Sequence, residues 1–291
     1  MKHNWKVEIL GVRGSYPVPE QGFLRYGGHT SCVLADCGGT QVLLDAGSGL
    51  ARWGRRRLRT EKKRVDLLLS HLHLDHLSGL PGFPLFFDPQ GEVHLYGMSV
   101  RKGELQKALE TLVGPPYWPL GLREFPAGVE IHEVSPGERF YLGEQKAEGV
   151  TVRTCPGNHP GGSLWYRLEA SGRSLVYALD CERSPEADER LNAFCAGCDL
   201  LIWDACFTSE DLKMHRGWGH SSWEEGIALG KSAGAKRVLM THYASGYTDE
   251  MLRAEEEAAR VKEEAVRVEE EVTRTEEPAI IFAKEGMVIE L

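Results

Sequence analysis

The chain has no apolar run approaching ~18 residues, so nothing in it reads as a membrane-spanning helix. Its first residues, MKHNWKVEILG, lack an apolar stretch of ~7–15 residues, so a secretory signal is not expected. The seven cysteines lack paired spacing, and we read them as reduced, small buried side chains of a cytoplasmic protein. Cys195-x-x-Cys198 has no second pair to complete a zinc clamp. There is no repeat of ~20–50 residues and no linker-like shift in composition. The 291 residues, 42% hydrophobic and 26% charged, exclude a wholly disordered or fibrous chain. They suffice for a core without a disulfide or structural metal. We expect one domain over residues 1–291.

Net charge is small outside one segment. The formal net charge is -9, from 34 basic and 43 acidic residues. Residues 249–277 hold 12 acidic and 5 basic side chains, a net of -7, which leaves -2 for everything else. Net charge therefore argues only weakly against a polyanionic partner. One opposite block, residues 51–64, carries eight basic residues and one acidic. A solvated helix and loop is favoured there over a phosphate-binding patch.

Short apolar runs bounded by glycine mark strands at 6–11, 32–37 and 40–47, the last two joined by Gly38-Gly39 as a tight hairpin. A helix is expected at 48–58, a buried strand at 65–71, a strand at 92–97 and a helix at 103–113. Residues 114–126 are Pro-rich and aromatic and read as a loop or lid. Four β segments follow at 129–134, 147–154, 163–169 and 173–179, then a buried strand at 199–205. A helix over 221–234 is capped by Ser221 or Ser222, and a strand covers 236–242. Thr248 caps a long helix to about residue 275, and two short strands close the chain. Two strand sets, each with helices, predict a layered α/β sandwich. The long helix carries a stripe of Met251, Ala254, Ala258, Val261, Ala265, Val268 and Val272, widened by Leu252, Ala259 and Val266. Packing on its own domain is favoured, and a homodimer contact is the alternative.

The chemistry concentrates in LLLSHLHLDHLSG. His71, His73, Asp75 and His76 fall within six residues, directly after a buried strand. Imidazole and carboxylate are the usual ligands of zinc and its neighbours. Alternate residues leaving a strand point the same way, so His71 and His73 can reach one ion, and Asp75 and His76 can face a second. Burying such a cluster as plain core would be costly.

HLHLDH resembles the H-x-H-x-D-H signature of the metallo-β-lactamase superfamily. The likeness continues in a lone His (His159 in CPGNHPGGS), an Asp after a strand (Asp180 in LVYALD) and a His ending a strand (His242 in VLMTHY). It implies an αββα sandwich, two β-sheets flanked by helices. It implies one metal on His71, His73 and His159, a second on Asp75, His76 and His242, and a bridging Asp180. GVRGSYPVP, RYGGHTSC and TQVLLDAGSG resemble the amino-terminal part of the phosphodiesterase-like branch, with His29 where branch members often have Asn. His29 is read either as a support to a metal ligand or as a satisfied loop histidine. RGWGHSSWEEG resembles the G-H-S-T segment of ribonuclease Z and related phosphodiesterases, which implies that His220 assists at the scissile phosphate.

The resemblance implies two divalent ions, zinc first and manganese or iron as alternatives, which would supply a hydroxide near neutral pH that Asp75 would orient. His220 favours a phosphodiesterase acting on a small or cyclic phosphodiester. Tyr117, Trp118 and Trp218 could stack on a base, although packing is favoured for each. Only 21 positions separate His159 from Asp180, where bacterial ribonuclease Z carries its clamping arm. Structured tRNA is therefore not expected as a partner. Acyl ester, thioester or lactone hydrolysis on the same metals is the second reading. A metal-bound sensor or partner-binding protein without useful turnover is the third. A flavodiiron-type protein is disfavoured, because no flavodoxin-like domain follows and His73 stands where that class has Glu.

Overall fold

The computed structural model describes residues 4–60, 64–99, 101–143, 149–269 and 277–291. Among them, two seven-stranded sheets face each other. The first holds β1 (Lys6–Gly11), β2 (Cys32–Asp36), β3 (Gln41–Leu44), β4 (Arg64–Leu69), β5 (Glu92–Met98), β6 (Gly128–Val134) and, from the far end of the chain, β14 (Val288–Glu290). The second holds β7 (Arg139–Leu142), β8 (Val150–Gly157), β9 (Ser163–Ala170), β10 (Arg173–Ala178), β11 (Leu200–Asp204), β12 (Arg237–Thr241) and β13 (Ala279–Phe282). Strand orders are 14-1-2-3-4-5-6 and 13-12-11-10-9-8-7. Strands β3 to β6 run parallel, as do β10 to β13, while the other neighbours are antiparallel.

Helices α1 (Leu50–Arg57) and α2 (Glu104–Leu112) cover the outer face of the first sheet. Helices α3 (Pro185–Cys195) and α5 (Trp223–Ala233) cover the second. This is the expected αββα sandwich. Strands with helices on one face and a sheet on the other are buried on both, hence runs such as LLIWD. The sheets meet through Leu44 and Leu68 against Trp165, Tyr166 and Tyr177. Two bonds near the strand ends fix their register, Tyr166 Oη to Leu69 O at 2.7 Å and Leu164 N to Ser70 O at 2.8 Å.

Local chemistry sets the boundaries. Gly38 and Gly39 both take positive φ, which a two-residue hairpin turn of this hand requires. Ser222 rather than Ser221 caps α5, in a reciprocal box with Glu225. Thr248 Oγ1 accepts from Met251 N at the start of α6 (Asp249–Glu269). Three elements have no counterpart in the sequence reading. Edge strand β7 buries little, α4 (Ser209–Met214) is six residues long, and among its described side chains α3 shows its core through Ala187, Leu191, Phe194 and Cys195.

Helix α6 packs through Leu252 and Ala259, while Met251, Ala254, Ala258 and Val261 face solvent. The side chains of Ala265, Val266, Val268 and Val272 lie outside the described residues. So the widening residues of the stripe make the contact, and its first members do not. In the basic run, Trp53 and Arg57 are buried and Arg56 pairs with Glu8, as a helix packed on its own sheet would have it. Tyr117 and Trp118 follow α2 and precede β6, at the amino-terminal end of the parallel strands. Trp118 packs on the outer core and Tyr117 is exposed.

Candidate metal centre

Strands β3, β4, β8, β10, β11 and β12 all end on the same side, because β8 is antiparallel to β9 and β9 to β10. The residues that leave those ends therefore meet. They are Asp45, His71 to His76, His159, Asp180, Asp204 and His242. Asp45, Asp180 and His242 each take a positive φ, near 60°, 53° and 62°. Non-glycine residues in that region carry strain of about 1–3 kcal/mol each and persist only where surrounding bonds hold them. Here the turn aims each side chain at the space between the sheets' ends.

The seven expected ligand residues come together in two adjoining groups around Asp180. In the first, His159 Nε2 lies 3.1 Å from His73 Nδ1 and 3.7 Å from Asp180 Oδ1, and His71 Nε2 lies 3.8 Å from that same oxygen. In the second, Asp180 Oδ2 is 3.2 Å from His76 Nε2 and 3.3 Å from His242 Nε2. Asp75 Oδ2 is 3.2 and 3.4 Å from the same two nitrogens, which are 3.3 Å apart. His159 is fixed by Gly219 O, 2.8 Å from its Nδ1. Gly219 must be glycine: its φ is +83°, and a Cβ there would sit 2.3 Å from that Nδ1.

These residues fit a metal. His71 Nε2 and Asp180 Oδ2 are buried without a hydrogen-bond partner, which is costly unless something binds them. The donors are imidazole and carboxylate, the set that zinc, manganese and iron accept. Burial, reinforced by His76, pushes His71 well below the usual imidazole range, so it stands as a neutral imidazole with a lone pair to offer. Burial would raise Asp75 and Asp180, but the facing histidines outweigh it and keep both ionised. Burial likewise opposes charge on His76 and His242, yet the carboxylates raise both. The carboxylates thus demand positive charge at this spot, which protons or a divalent cation supply.

Two acids went unnoticed in the sequence. Asp45 accepts from Ser70 N (2.7 Å), Ser70 Oγ (2.9 Å), His76 Nδ1 (2.6 Å) and Tyr177 Oη (2.8 Å). It turns His76 Nε2 toward the cluster, as a carboxylate behind a metal-binding histidine does. Asp204 holds His220 Nδ1 at 3.0 Å and lies 3.6 Å from His242 Nδ1. The one signal available was an aspartate closing an apolar strand, in VLLDAG and LLIWDA. His220 itself lies 3.7 Å from Asp180 Oδ1 and stacks on the His242 ring. His29 pairs with Ser48 Oγ at 3.0 Å, not with a candidate ligand. All seven cysteines are free and buried. Cys206, beside His242, is pushed up to about 12 by burial and stays a thiol.

Facing sheets with a histidine–aspartate cluster at their strand ends define a metal-dependent hydrolase of the sandwich class. A family profile described as a β-lactamase superfamily domain matches residues 40–243, and the chain belongs to that family. Within it, the chain is similar to proteins named ribonuclease Z. The ribonuclease Z of Porphyromonas gingivalis is 25% identical over 300 aligned residues, covering 87% of this chain and 93% of the relative. The metallo-β-lactamase fold protein YhfI of Bacillus subtilis superposes with a TM-score of 0.69 at 20% identity, over 100% of both chains. Human tRNase Z, short form, gives 0.66 at 20% identity, over 98% of each. These relatives overturn the expectation against structured tRNA. The short span from His159 to Asp180 is real, a β9–β10 hairpin closed at Ser171 and Gly172. Yet a chain named ribonuclease Z matches almost end to end, so the length of that hairpin does not decide the substrate. Among the described residues, no helix is long and apolar enough to cross a membrane.

Proposed function

We propose that residues 1–291 form one phosphodiesterase domain working with two divalent cations, zinc before manganese or iron. His71, His73 and His159 would hold one cation, Asp75, His76 and His242 the other, and Asp180 both. The cations would supply a water molecule deprotonated near neutral pH and a Lewis acid for a phosphoryl oxygen.

The observation that carries the reading is His220, held by Asp204 at 3.0 Å beside this cluster. With Nδ1 committed to Asp204, Nε2 faces the substrate and gives its proton to the departing alkoxide. Burial disfavours the charged ring, but Asp204 outweighs it and raises the proton affinity of His220. Asp75, anchored by Ser15 N at 2.8 Å, keeps its carboxylate toward the attacking side.

Trp218, 60% exposed, stands one residue from Gly219 and two from His220, on a loop that Glu182 holds through Gly217 N and Gly219 N. An exposed ring at that place suits a base next to the phosphate, which supports a small or cyclic nucleotide phosphodiester as substrate. The likeness to ribonuclease Z over 87% of the chain favours a second reading, an RNA phosphodiester. Seven free thiols support a cytoplasmic setting.

The test is turnover, with zinc, manganese or iron loaded separately, of bis-p-nitrophenyl phosphate, cyclic nucleotides and a tRNA with a 3′ extension. Lactones and thioesters serve as controls. Turnover confined to acyl substrates refutes the phosphodiesterase reading. No turnover at full metal occupancy leaves a metal-bound sensor.

A further inference from the structure

Away from this centre, the lower half of the first sheet carries a histidine pair that nothing above uses. His94 lies on β5 with Glu130 and His132 on the parallel edge strand β6, paired His94 to Glu130 and Tyr96 to His132. Glu130 and His132 are two apart, so they share one face of the strand. His94 Nε2 is 2.7 Å from Glu92 Oε1. In the neutral ring that contact places the proton on Nε2 and leaves Nδ1 a lone pair. His94 Nδ1 points at His132 Nε2, 3.0 Å away. Glu130 Oε2 is 3.5 Å from the first nitrogen and 3.6 Å from the second.

We infer that His94 Nδ1, His132 Nε2 and Glu130 Oε2 form a separate binding site for a divalent transition-metal ion of the zinc class. Three donors around tetrahedral zinc, at bonds of about 2.0–2.1 Å, lie about 3.3–3.4 Å from one another. The triangle here has edges of 3.0, 3.5 and 3.6 Å. Donor pairs in the family centre span the same range, 3.1 to 3.8 Å. A hydrogen bond from His132 Nε2 to His94 Nδ1 would account for the shortest edge alone. It gives no reason for Glu130, whose side chain is 64% exposed, to fold back and stand equally far from both rings.

The surroundings hold the donors in place. The His94 and His132 ring planes lie within 12° of each other, and the Tyr96 ring lies on His132 at 4.4 Å and 15°. Glu92 behind His94 is the carboxylate partner that metal-binding imidazoles ordinarily have. Two imidazoles and one carboxylate favour zinc, cobalt, nickel or copper over magnesium or calcium. His94 is buried while His132 is 35% exposed on its side chain, so one side of the ion stays open to water. Because the donors span β5 and β6, the ion ties the edge strand to its neighbour.

The test compares zinc content by elemental analysis at one buffered free-zinc level, for the full chain and two variants. The unaltered chain should carry one zinc per chain more than His132→Ala, whatever the family centre holds. Glu130→Gln, at an exposed position, should bind that ion more weakly and keeps the test open should His132→Ala fail to fold. Cobalt substitution supplies a second readout, since His132→Ala should lose part of the visible absorption of the cobalt protein. Equal zinc content and equal cobalt spectra in all three proteins would overturn the site and leave a histidine–histidine hydrogen bond.

Discussion

Replacing His220 by alanine separates proton delivery from metal binding. The ring makes one charge-assisted bond, Nδ1 to Asp204 at 3.0 Å, and removing such a buried bond costs about 1.5–3 kcal/mol of stability. Asp204 is not left bare, because Cys206 N still donates to its other oxygen at 3.0 Å. The variant should therefore fold, with a lowered melting temperature and unchanged metal content. Loss of a general acid slows catalysis by about 10²–10⁴-fold, or ~2.7–5.4 kcal/mol on the barrier. That loss should appear in kcat for a cyclic nucleotide, whose leaving alkoxide needs the proton. For bis-p-nitrophenyl phosphate the leaving p-nitrophenolate is stable as an anion, and the loss should stay below about tenfold. The assay is steady-state turnover on both substrates with matched metal content. Equal losses on the two would refute proton donation and leave His220 an electrostatic role. Unchanged turnover on every phosphodiester would remove the phosphodiesterase reading.

Asp45→Asn should lower zinc affinity by about 10–100-fold through the misoriented His76 ring, measured against a chromophoric chelator; unchanged affinity refutes that role. Carboxylates raise His76 and His242 above the ordinary imidazole range, so both hold protons that a metal must displace. Metal uptake should therefore release protons, and apparent affinity should fall as pH drops; binding heats that do not vary with the buffer's ionisation enthalpy would contradict this. Gly226→Ala on α5 would set a Cβ 2.4 Å from the buried Trp203 ring, and should cost about 1–3 kcal/mol in chemical denaturation at unchanged m-value. On α6, Leu252→Ala should cost about 2–5 kcal/mol, whereas Val261→Asp, 51% exposed, should stay within about 0.5 kcal/mol. Equal effects of those two substitutions would mean that the packed face has been misassigned.

The sequence alone determined most of the strand and helix plan, though not β7, α3 or α4, because alternation in strands, glycine turns and side-chain caps are local properties. It also determined the chemical type of the centre. HLHLDH places four donors within reach of one another by chain geometry, with no need of the rest of the fold. His159, Asp180, His220 and His242 entered only through resemblance, since a lone histidine carries no local signal. What tertiary structure alone decided is which groups stand behind the donors. Asp45 is 31 residues from His76, and Asp204 is 16 from His220. Asp45 reaches His76 because the parallel strands β3 and β4 end side by side, and Asp204 reaches His220 because the loop before α5 folds back beside the end of β11, where Phe207 pairs with Ser222. The same holds for His94 and His132, 38 residues apart in the chain and neighbours only through the register of β5 on β6. The outward stripe of α6 was likewise beyond the sequence. Helical spacing gives the period of an apolar face, but only the packing of Leu252 and Ala259 says which side meets the core. A contact between distant residues depends on strand order and register, and those are set by the pairing of whole sheets rather than by any local segment.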